Sequence, residues 1–403
     1  MQPVLSFSEH PVMARHAQRG VSLIEVMVGM ALGLITVLIM TQAFSVNDAA
    51  RRSTASASDS VQIGALASHY LNTDLQDAGA GLVRSGDLWG CQLNVTRNGN
   101  VLLPRPSAFP APFAAVPQTL RAAPVVVFDG GSNSDVVLVM SGNSASANRD
   151  LEFDKAASGD LVFTNPIGFL PNDLLLAVRN ESAVLGNAPC QIVQIASDYQ
   201  PSGDANPTET YGGLNALKPA NDVVSLSGVY GALADTVTAN VGAAQNLGQN
   251  PVIAMYGVNA NNELVRYSVL DDTSTVLAEN VYRFKAILGV DTDDVGRQNP
   301  DAVGKYAINE WKAPSDTGWS ASTLLAGNEV AAQKLDLILA LRVGLIIQSA
   351  SLTPAESKDF VLFESDATNK INVTLSGTEK RRRYSVNETI IPLRNLRSAY
   401  RGG

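Results

Sequence analysis

The chain has 403 residues, of which 45% are hydrophobic and 17% charged, a balance that excludes disorder for most of its length. The formal net charge of −9 at pH 7 argues against a general nucleic-acid-binding surface, and no specific nucleic acid is expected as a partner. Histidine is scarce, with three residues, so a histidine-based zinc site or a Ser-His-Asp triad has little support.

The first 44 residues contain the most distinctive pattern of the chain. A short polar segment ends at Gly20, and the run from residue 26 to 44 is apolar and carries no charge. About 20 such residues span the hydrocarbon core of a bilayer at a rise of 1.5 Å each. Glu25 lies at the front edge of this run, where an ionisable side chain is costly and calls for a partner.

Two ordinary explanations of this pattern are a secretory signal peptide and an uncleaved membrane anchor. A secretory signal has an apolar core of about 7–15 residues followed by its cleavage site. Here the apolar run is longer, and the candidate cleavage site after Gly20 precedes it. A plain anchor would gain nothing from Glu25. A more specific kind of signal is therefore favoured.

The combination of Gly20, Val21 and Glu25 with an uncharged apolar run resembles the class III signal of type IV pilins and type II secretion pseudopilins. This resemblance implies that residues 1–20 are a leader removed by a prepilin peptidase, which then methylates the amine of Val21. It also implies that Glu25, the fifth mature residue, takes part in assembly. The first mature residue is valine, where the family usually has phenylalanine.

A helix is expected over residues 21–82, with residues 21–44 in the membrane or in a fibre core. Gly29 and Gly33 have the spacing that lets membrane helices approach closely, although glycine is also simply common in such helices. Serine and threonine are poor helix formers, so residues 45–60 are predicted to be locally loose. Spacings of three and four then predict an apolar stripe that packs on a head, formed by Ile63, Leu66, Ala67, Tyr70, Leu71, Leu75, Ala78 and Leu82.

Residues 83–403 are predicted to form a head rich in β-strands. Asn98-Gly99 between two short apolar runs predicts a hairpin of residues 93–103. Further strands are predicted at residues 125–128, 136–140, 174–178 and 192–195, while residues 201–248 are predicted to be surface loops with short strands. A second hairpin turns at residues 259–262. Strict alternation over residues 335–347 predicts a half-buried central strand with Asp336 and Arg342 on the other face, and residues 381–395 predict the last strand.

The order of these blocks resembles the minor pilins of the PilW type. The matching residues are Val281, Phe284, Gly289-Val290-Asp291, Leu341-Arg342, Arg382-Arg383 and Arg394-Asn395. The resemblance implies a pilin-like α+β fold, a long N-terminal helix packed on an antiparallel β-rich head.

The function that the resemblance implies is a structural one, initiating or capping a type IV pilus. Expected partners are the major pilin, other minor pilins, a large tip adhesin and the prepilin peptidase. Such a subunit passes from the inner membrane, with its head in the periplasm, to the pilus tip at the cell surface, where it can serve cell adhesion.

Two other functions stay open. A tip-forming pseudopilin of a type II secretion system would share the N-terminal signal. A membrane-tethered periplasmic enzyme or binding protein is a further alternative, although the sequence contains no recognisable nucleophile–base pair or phosphate loop, so no enzyme is predicted.

Two candidate sites remain in the head. Cys91 and Cys190 are expected to form a disulfide in an exported head, the alternative being two buried thiols. The acidic turn with Asp291, Asp293 and Asp294 could bind Ca²⁺, although its spacing does not fit an EF-hand and a solvated turn is favoured. No other metal and no cofactor are expected. The basic C-terminal segment is interpreted as a solvated strand face or a subunit contact.

Overall fold

The computed structural model describes residues 20–82, 90–144, 151–155, 159–163, 168–179, 189–200, 210–211, 214–215, 222–230, 241–292, 307–352 and 356–393. The chain divides into two compact units, Met1–Ala55 and Ser56–Gly403. A long N-terminal apolar helix is followed by a large head of mainly antiparallel strands, which confirms the predicted α+β class.

Helix α1 spans Leu23–Gln76, and turns follow as far as Gly81. Gly79 and Gly81 have positive φ angles of 79° and 69°, a conformation that ends a helix readily at glycine. The polar stretch 45–60, predicted to be loose, is helical throughout. Three of its hydroxyl groups bond within the helix: Ser45 donates to the carbonyl of Gln42 at 2.8 Å, Thr54 to that of Ala50 at 3.1 Å and Ser60 to that of Ser56 at 2.9 Å.

The largest sheet has eight strands in the order β11-β6-β5-β12-β7-β8-β1-β2. All neighbours are antiparallel except β1 and β8, which are parallel. The strands are β1 (Gln92–Arg97), β2 (Asn100–Leu103), β5 (Leu151–Lys155), β6 (Leu161–Phe163), β7 (Leu174–Arg179), β8 (Pro189–Gln194), β11 (Asp222–Val224) and β12 (Val241–Gly248). Asn98 and Gly99 both have positive φ between β1 and β2, which confirms the predicted hairpin turn.

Strand β12 corrects the prediction that residues 201–248 are surface loops, because it lies inside the eight-stranded sheet between β5 and β7. Its small residues have a packing role. A Cβ atom on Gly242 would lie 2.4 Å from the Phe153 ring, so the close approach of the two strands requires glycine. Most of residues 201–240 lie outside the described residues.

Two further sheets complete the main architecture. The five-stranded sheet has the order β15-β14-β13-β4-β3 and the four-stranded sheet the order β17-β16-β18-β21. Their strands are β3 (Val125–Phe128), β4 (Val136–Ser141), β13 (Val252–Val258), β14 (Leu264–Ser268), β15 (Thr273–Ala278), β16 (Val281–Val290), β17 (Glu310–Lys312), β18 (Ile338–Leu352) and β21 (Arg382–Pro392). Two small hairpins pair β9 (Thr210–Tyr211) with β10 (Leu214–Asn215) and β19 (Phe360–Leu362) with β20 (Ile371–Val373).

Strand β18 differs from its prediction at its start and in its burial. A helix, Glu329–Asp336, precedes it, so Asp336 is helical and the strand begins at Ile338. The Asn328 side chain caps this helix by accepting from the amide of Ala331 at 2.9 Å. Ile347 faces the main core and Ile346 a separate apolar cluster with Phe363, so both faces of the strand are buried rather than one. A second short helix spans Ala321–Leu324, and a 3₁₀ turn spans Gly377–Arg381.

The main core lies between the sheets and the second half of α1. Ala67, Leu71 and Leu75 of the helix are completely buried in it. Leu66 and Tyr70, which were predicted to belong to the same stripe, are 48% and 44% exposed, so the buried stripe is narrower than the sequence pattern suggests.

Candidate functional site

The predicted cleavage site lies just before helix α1. Gly20, Val21 and Ser22 are not helical, and the first helical hydrogen bond joins the amide of Val26 to the carbonyl of Ser22 at 3.2 Å. The Val21 side chain is 71% exposed, and a Cβ atom on Gly20 would have no neighbour within 4 Å. The Gly20–Val21 peptide bond is therefore accessible and free of helical structure, as a peptidase requires.

Glu25 lies in the first turn of α1. A carboxylate in this position interacts favourably with the positive end of the helix dipole. The residue is exposed within its unit, which leaves its carboxylate accessible to a cation from another molecule. Its predicted role in assembly stays a prediction.

The first part of α1, Leu23–Asp48, has the length and apolar composition of a membrane-spanning helix. Its large apolar side chains are between 43% and 78% exposed. Thr36 and Thr41 satisfy their hydroxyl groups internally by donating to the carbonyls of Leu32 and Leu38, as polar side chains in lipid must. This segment is consistent with a membrane anchor.

Gly29 and Gly33 lie one helical turn apart on the same side of α1. A Cβ atom on either glycine would have no neighbour within 4 Å. Both positions are open for another helix to approach, and their predicted packing role stays a prediction.

A polar cluster anchors the second part of α1 on the five-stranded sheet. The Arg266 guanidinium donates from Nε to Asp74 at 3.0 Å, and the Tyr256 hydroxyl donates to the same carboxylate. Burial and the neighbouring Asp74 carboxylate raise the pKa of Tyr256, so its hydroxyl stays a donor. Sequence analysis missed this cluster, because Asp74 is more than 180 residues from its partners. The one feature of the sequence that could have indicated the cluster is Asp74, an acidic residue next to the apolar stripe of the helix.

Cys91 and Cys190 form the disulfide, with Cα atoms 5.7 Å apart and both residues fully buried. Cys91 directly precedes β1, and Cys190 lies in the neighbouring strand β8, opposite Leu93. The bond joins the residue before β1 to the parallel strand β8, and the two cysteines are 99 residues apart in the chain. It therefore closes the part of the head that contains β1 to β7.

The candidate calcium turn is only partly described. Asp291 is 7% exposed and its amide donates to the carbonyl of Leu337 at 2.9 Å, while Asp293 and Asp294 lie outside the described residues. The described part of the chain brings together no group of three metal-ligating side chains. Calcium binding at this turn stays a prediction.

The residues that carry the PilW-type resemblance mostly belong to one sheet. Phe284 on β16 and Leu341 on β18 lie in adjacent strands, and Arg382 begins β21 beside them. Arg342 donates to the Glu388 carboxylate of β21 at 2.7 Å. Arg394 and Asn395 lie outside the described residues.

Comparison with known proteins identifies the N-terminal segment. Residues 15–41 match the family model of the prokaryotic N-terminal methylation motif. The matched segment includes Gly20, Val21 and Glu25. Neither the curated proteins nor the solved structures give a match. The chain therefore carries a pilin-type signal, which supports a type IV pilin or pseudopilin, processing by a prepilin peptidase and assembly with other pilins. The same motif favours a structural protein over an enzyme.

Proposed function

We propose that this chain is a minor pilin of the PilW type that initiates or caps a type IV pilus as a subunit of its tip. The observation that carries the filament-subunit part of the proposal is the match of residues 15–41 to the methylation motif at the start of α1, and the PilW-type blocks of the head, such as Gly289-Val290-Asp291, support a pilus. The second part of the same helix packs into the main core of the head through Leu71 and Leu75.

The size of the head favours a position at the tip of the pilus over a position that recurs along the whole fibre. The unit Ser56–Gly403 corresponds to a radius of gyration of about 20 Å for a compact domain. In a fibre core the N-terminal helices of neighbouring subunits would pack about 8–10 Å apart. This spacing is smaller than the radius of the head, so the heads would compete for space if every subunit of the fibre carried one. A subunit at the tip has no neighbour above it and avoids this competition.

The proposed course begins in the inner membrane, with the head in the periplasm. The prepilin peptidase cleaves after Gly20 and methylates Val21. The mature subunit then joins other minor pilins and the major pilin, and the head presents a large tip adhesin at the cell surface. The role throughout is structural.

The test is to locate the protein by mass spectrometry in sheared surface fibres and to identify its N-terminus. The expected result is a minor component that begins at N-methylated Val21. Gly20→Val is the matched processing variant, since a Cβ atom on residue 20 would have no neighbour within 4 Å and the head should fold as before. This variant should keep its leader and be absent from fibres.

Deletion of the gene distinguishes a pilus from a secretion filament. The proposal expects loss of surface pili with protein secretion intact. Loss of secretion with normal pili would instead identify a tip-forming pseudopilin, for which the same N-terminal motif is equally suited.

A further inference from the structure

A polar cleft of about 360 Å³ opens on the head at a place that no sequence motif indicates. It lies between the turn that joins β3 to β4, the β13–β14 hairpin and the start of β16. Its volume falls within the usual range for small-molecule sites, about 300–1,000 Å³. The polar groups that line it belong to Asn133, Ser134, Asn259, Asn262, Tyr282 and Arg283.

Two walls of the cleft are held in place by hydrogen bonds. Asn259 accepts at Oδ1 from the amides of Asn261 and Glu263 at 2.9 and 3.0 Å, and its Nδ2 donates to the Glu263 carboxylate at 2.6 Å. Ser134 accepts at Oγ from the amide of Phe284 at 3.1 Å. The side chains of Asn259 and Ser134 are therefore fixed before any ligand arrives, which lowers the entropy lost on binding.

A β-bulge positions the charged group. The register between β16 and β18 shifts between Val281 and Arg283, and such bulges redirect side chains. The Arg283 guanidinium lies 4.1 Å from the centre of the Tyr282 ring, and Nη1 donates to the Tyr282 carbonyl at 2.9 Å. Its Nε is buried and has no hydrogen-bond partner among the described residues. The guanidinium is thus held in one orientation, and its Nη groups carry N–H donors beyond the one that bonds the Tyr282 carbonyl.

Arg283 is the one formally charged residue among the described residues that line the cleft. Glu379 interacts electrostatically with it, but that carboxylate already accepts from the Tyr282 hydroxyl at 2.8 Å and from the Ser376 amide at 2.9 Å. The cleft therefore combines a cation with neutral amides that both donate and accept.

We propose that this cleft binds a sugar unit that carries a carboxylate, such as a uronic acid residue. A guanidinium recognises a carboxylate through paired, charge-assisted hydrogen bonds, and asparagine amides match the donor and acceptor pattern of sugar hydroxyls. Arg283 takes the carboxylate, and the amides of Asn133 and Asn262 take the hydroxyls. This binding site goes beyond the role in fibre assembly and does not depend on which filament the chain joins.

The proposal is tested by saturation-transfer-difference NMR on the full mature protein in detergent micelles. The probe is D-glucuronate, with D-glucose and acetate as comparison ligands. A ligand of this size should bind with a dissociation constant on the order of 1 mM. Glucose, which lacks the carboxylate, and acetate, which lacks the hydroxyls, should each bind at least about tenfold more weakly. Absence of glucuronate binding, or equal binding of either comparison ligand, overturns the proposal.

Three variants assign the binding to the cleft. Arg283→Gln should weaken glucuronate binding at least about tenfold. Arg97→Gln is its control, because Arg97 also lies over a tyrosine ring, that of Tyr230, and bonds a backbone carbonyl, but lies outside the cleft.

Asn262→Asp tests the cleft at a second residue and leaves Arg283 unchanged. Residue 262 has a φ of 60°, which aspartate tolerates, and the added carboxylate should repel glucuronate and remove an amide donor to its hydroxyls, so glucuronate binding should weaken. Unchanged glucuronate binding in both cleft variants, or equal loss in Arg97→Gln, contradicts the assignment.

Discussion

Asp135 and Lys285 form an ion pair of 2.7 Å, and their side chains are only 1% and 4% exposed. Asp135 also accepts from the amides of Gly130 at 2.9 Å and Ala286 at 3.0 Å, while Lys285 donates to the carbonyl of Gly131 at 2.8 Å. Burial raises the pKa of Asp135, and the Lys285 ammonium opposes this shift. The pair joins the turn before β4 to strand β16, and so the five-stranded sheet to the four-stranded one.

Lys285→Met should lower the free energy of unfolding of the head by about 3–5 kcal/mol, because it leaves the Asp135 carboxylate buried without a countercharge. Urea unfolding followed by tryptophan fluorescence measures the change. Lys312→Met is the matched control, since Lys312 pairs with Glu310 at a more exposed position and should contribute about 0–1 kcal/mol. If the two substitutions lowered the free energy of unfolding equally, burial of the Asp135–Lys285 pair would add nothing to its contribution to stability.

Gln245 on β12 is fully buried, and neither its Nε2 nor its Oε1 has a hydrogen-bond partner among the described residues. Gln245→Leu should therefore raise the free energy of unfolding by about 1 kcal/mol, since it removes a desolvation penalty. Its neighbour Asn246 differs, because it donates to Asp173 at 2.7 Å and accepts from the amide of Gly248 at 2.7 Å. Asn246→Leu should lower stability by about 1–3 kcal/mol. Urea midpoints of the two variants should move in opposite directions, and a loss of stability in Gln245→Leu would contradict the expectation.

Asp272 should make the stability of the head depend on pH in the acid range. The hydrogen bond from the Tyr267 hydroxyl, together with the Arg105 guanidinium, lowers the pKa of Asp272 from its ordinary value of 3.8. A lowered folded-state pKa contributes stability above the unfolded-state value, and this contribution is lost as pH falls through the folded-state pKa.

Asp272→Asn removes this contribution and suits the φ of 54° at residue 272. The variant should melt at a lower temperature than the wild-type protein at neutral pH. The difference should shrink as pH falls below 3.8, the ordinary pKa of the group. Thermal unfolding between neutral pH and pH values below this pKa measures it, and a difference that stays constant with pH would exclude the carboxylate as its cause.

The disulfide should be a large contributor to the stability of the head. Cys91 and Cys190 are 99 residues apart, and closing a loop of about 100 residues is worth up to about 4.7 kcal/mol in the chain-entropy model. The Cys91→Ser, Cys190→Ser double variant should lose about 2–5 kcal/mol. Thiol labelling of the denatured, unreduced wild-type protein should find neither cysteine free. Labelling of both without reductant would be incompatible with the bond.

Local patterns predicted the parts of this fold that depend on a few neighbouring residues. Asn98-Gly99 predicted its hairpin because a turn with two positive φ angles needs these residue types. The position of β12 was missed because the requirement for Gly242 comes from Phe153 and Val178, which are far away in the chain. The same limit applies to the Asp135–Lys285 pair, which joins residues 150 apart, and to the cleft around Arg283, which four separate segments of the chain form.

Glu25 provides the last prediction, which concerns assembly rather than stability. A carboxylate near the centre of a bilayer costs about 2.5–3.5 kcal/mol on insertion scales, so an apolar residue would anchor the helix better. A carboxylate instead offers a partner for a cation in the low-dielectric core of a fibre, where attraction between charges is stronger than in water. The pilin-type signal suggests that cation, the amine of the first mature residue, Val21, of a neighbouring subunit.

Glu25→Ala and the isosteric Glu25→Gln should therefore both be cleaved after Gly20 and remain in the membrane, but enter fibres poorly. Asp59→Asn is the control, because it removes an exposed acid from the same helix outside the apolar run. Immunoblots of membrane and sheared-fibre fractions, with the N-terminus determined in each, measure processing and assembly separately. Poor assembly of Glu25→Gln beside normal assembly of Asp59→Asn assigns the effect to the charge at residue 25. Normal fibre incorporation of Glu25→Gln would rule out attraction to the amine, because glutamine keeps the size of the side chain and lacks only its charge.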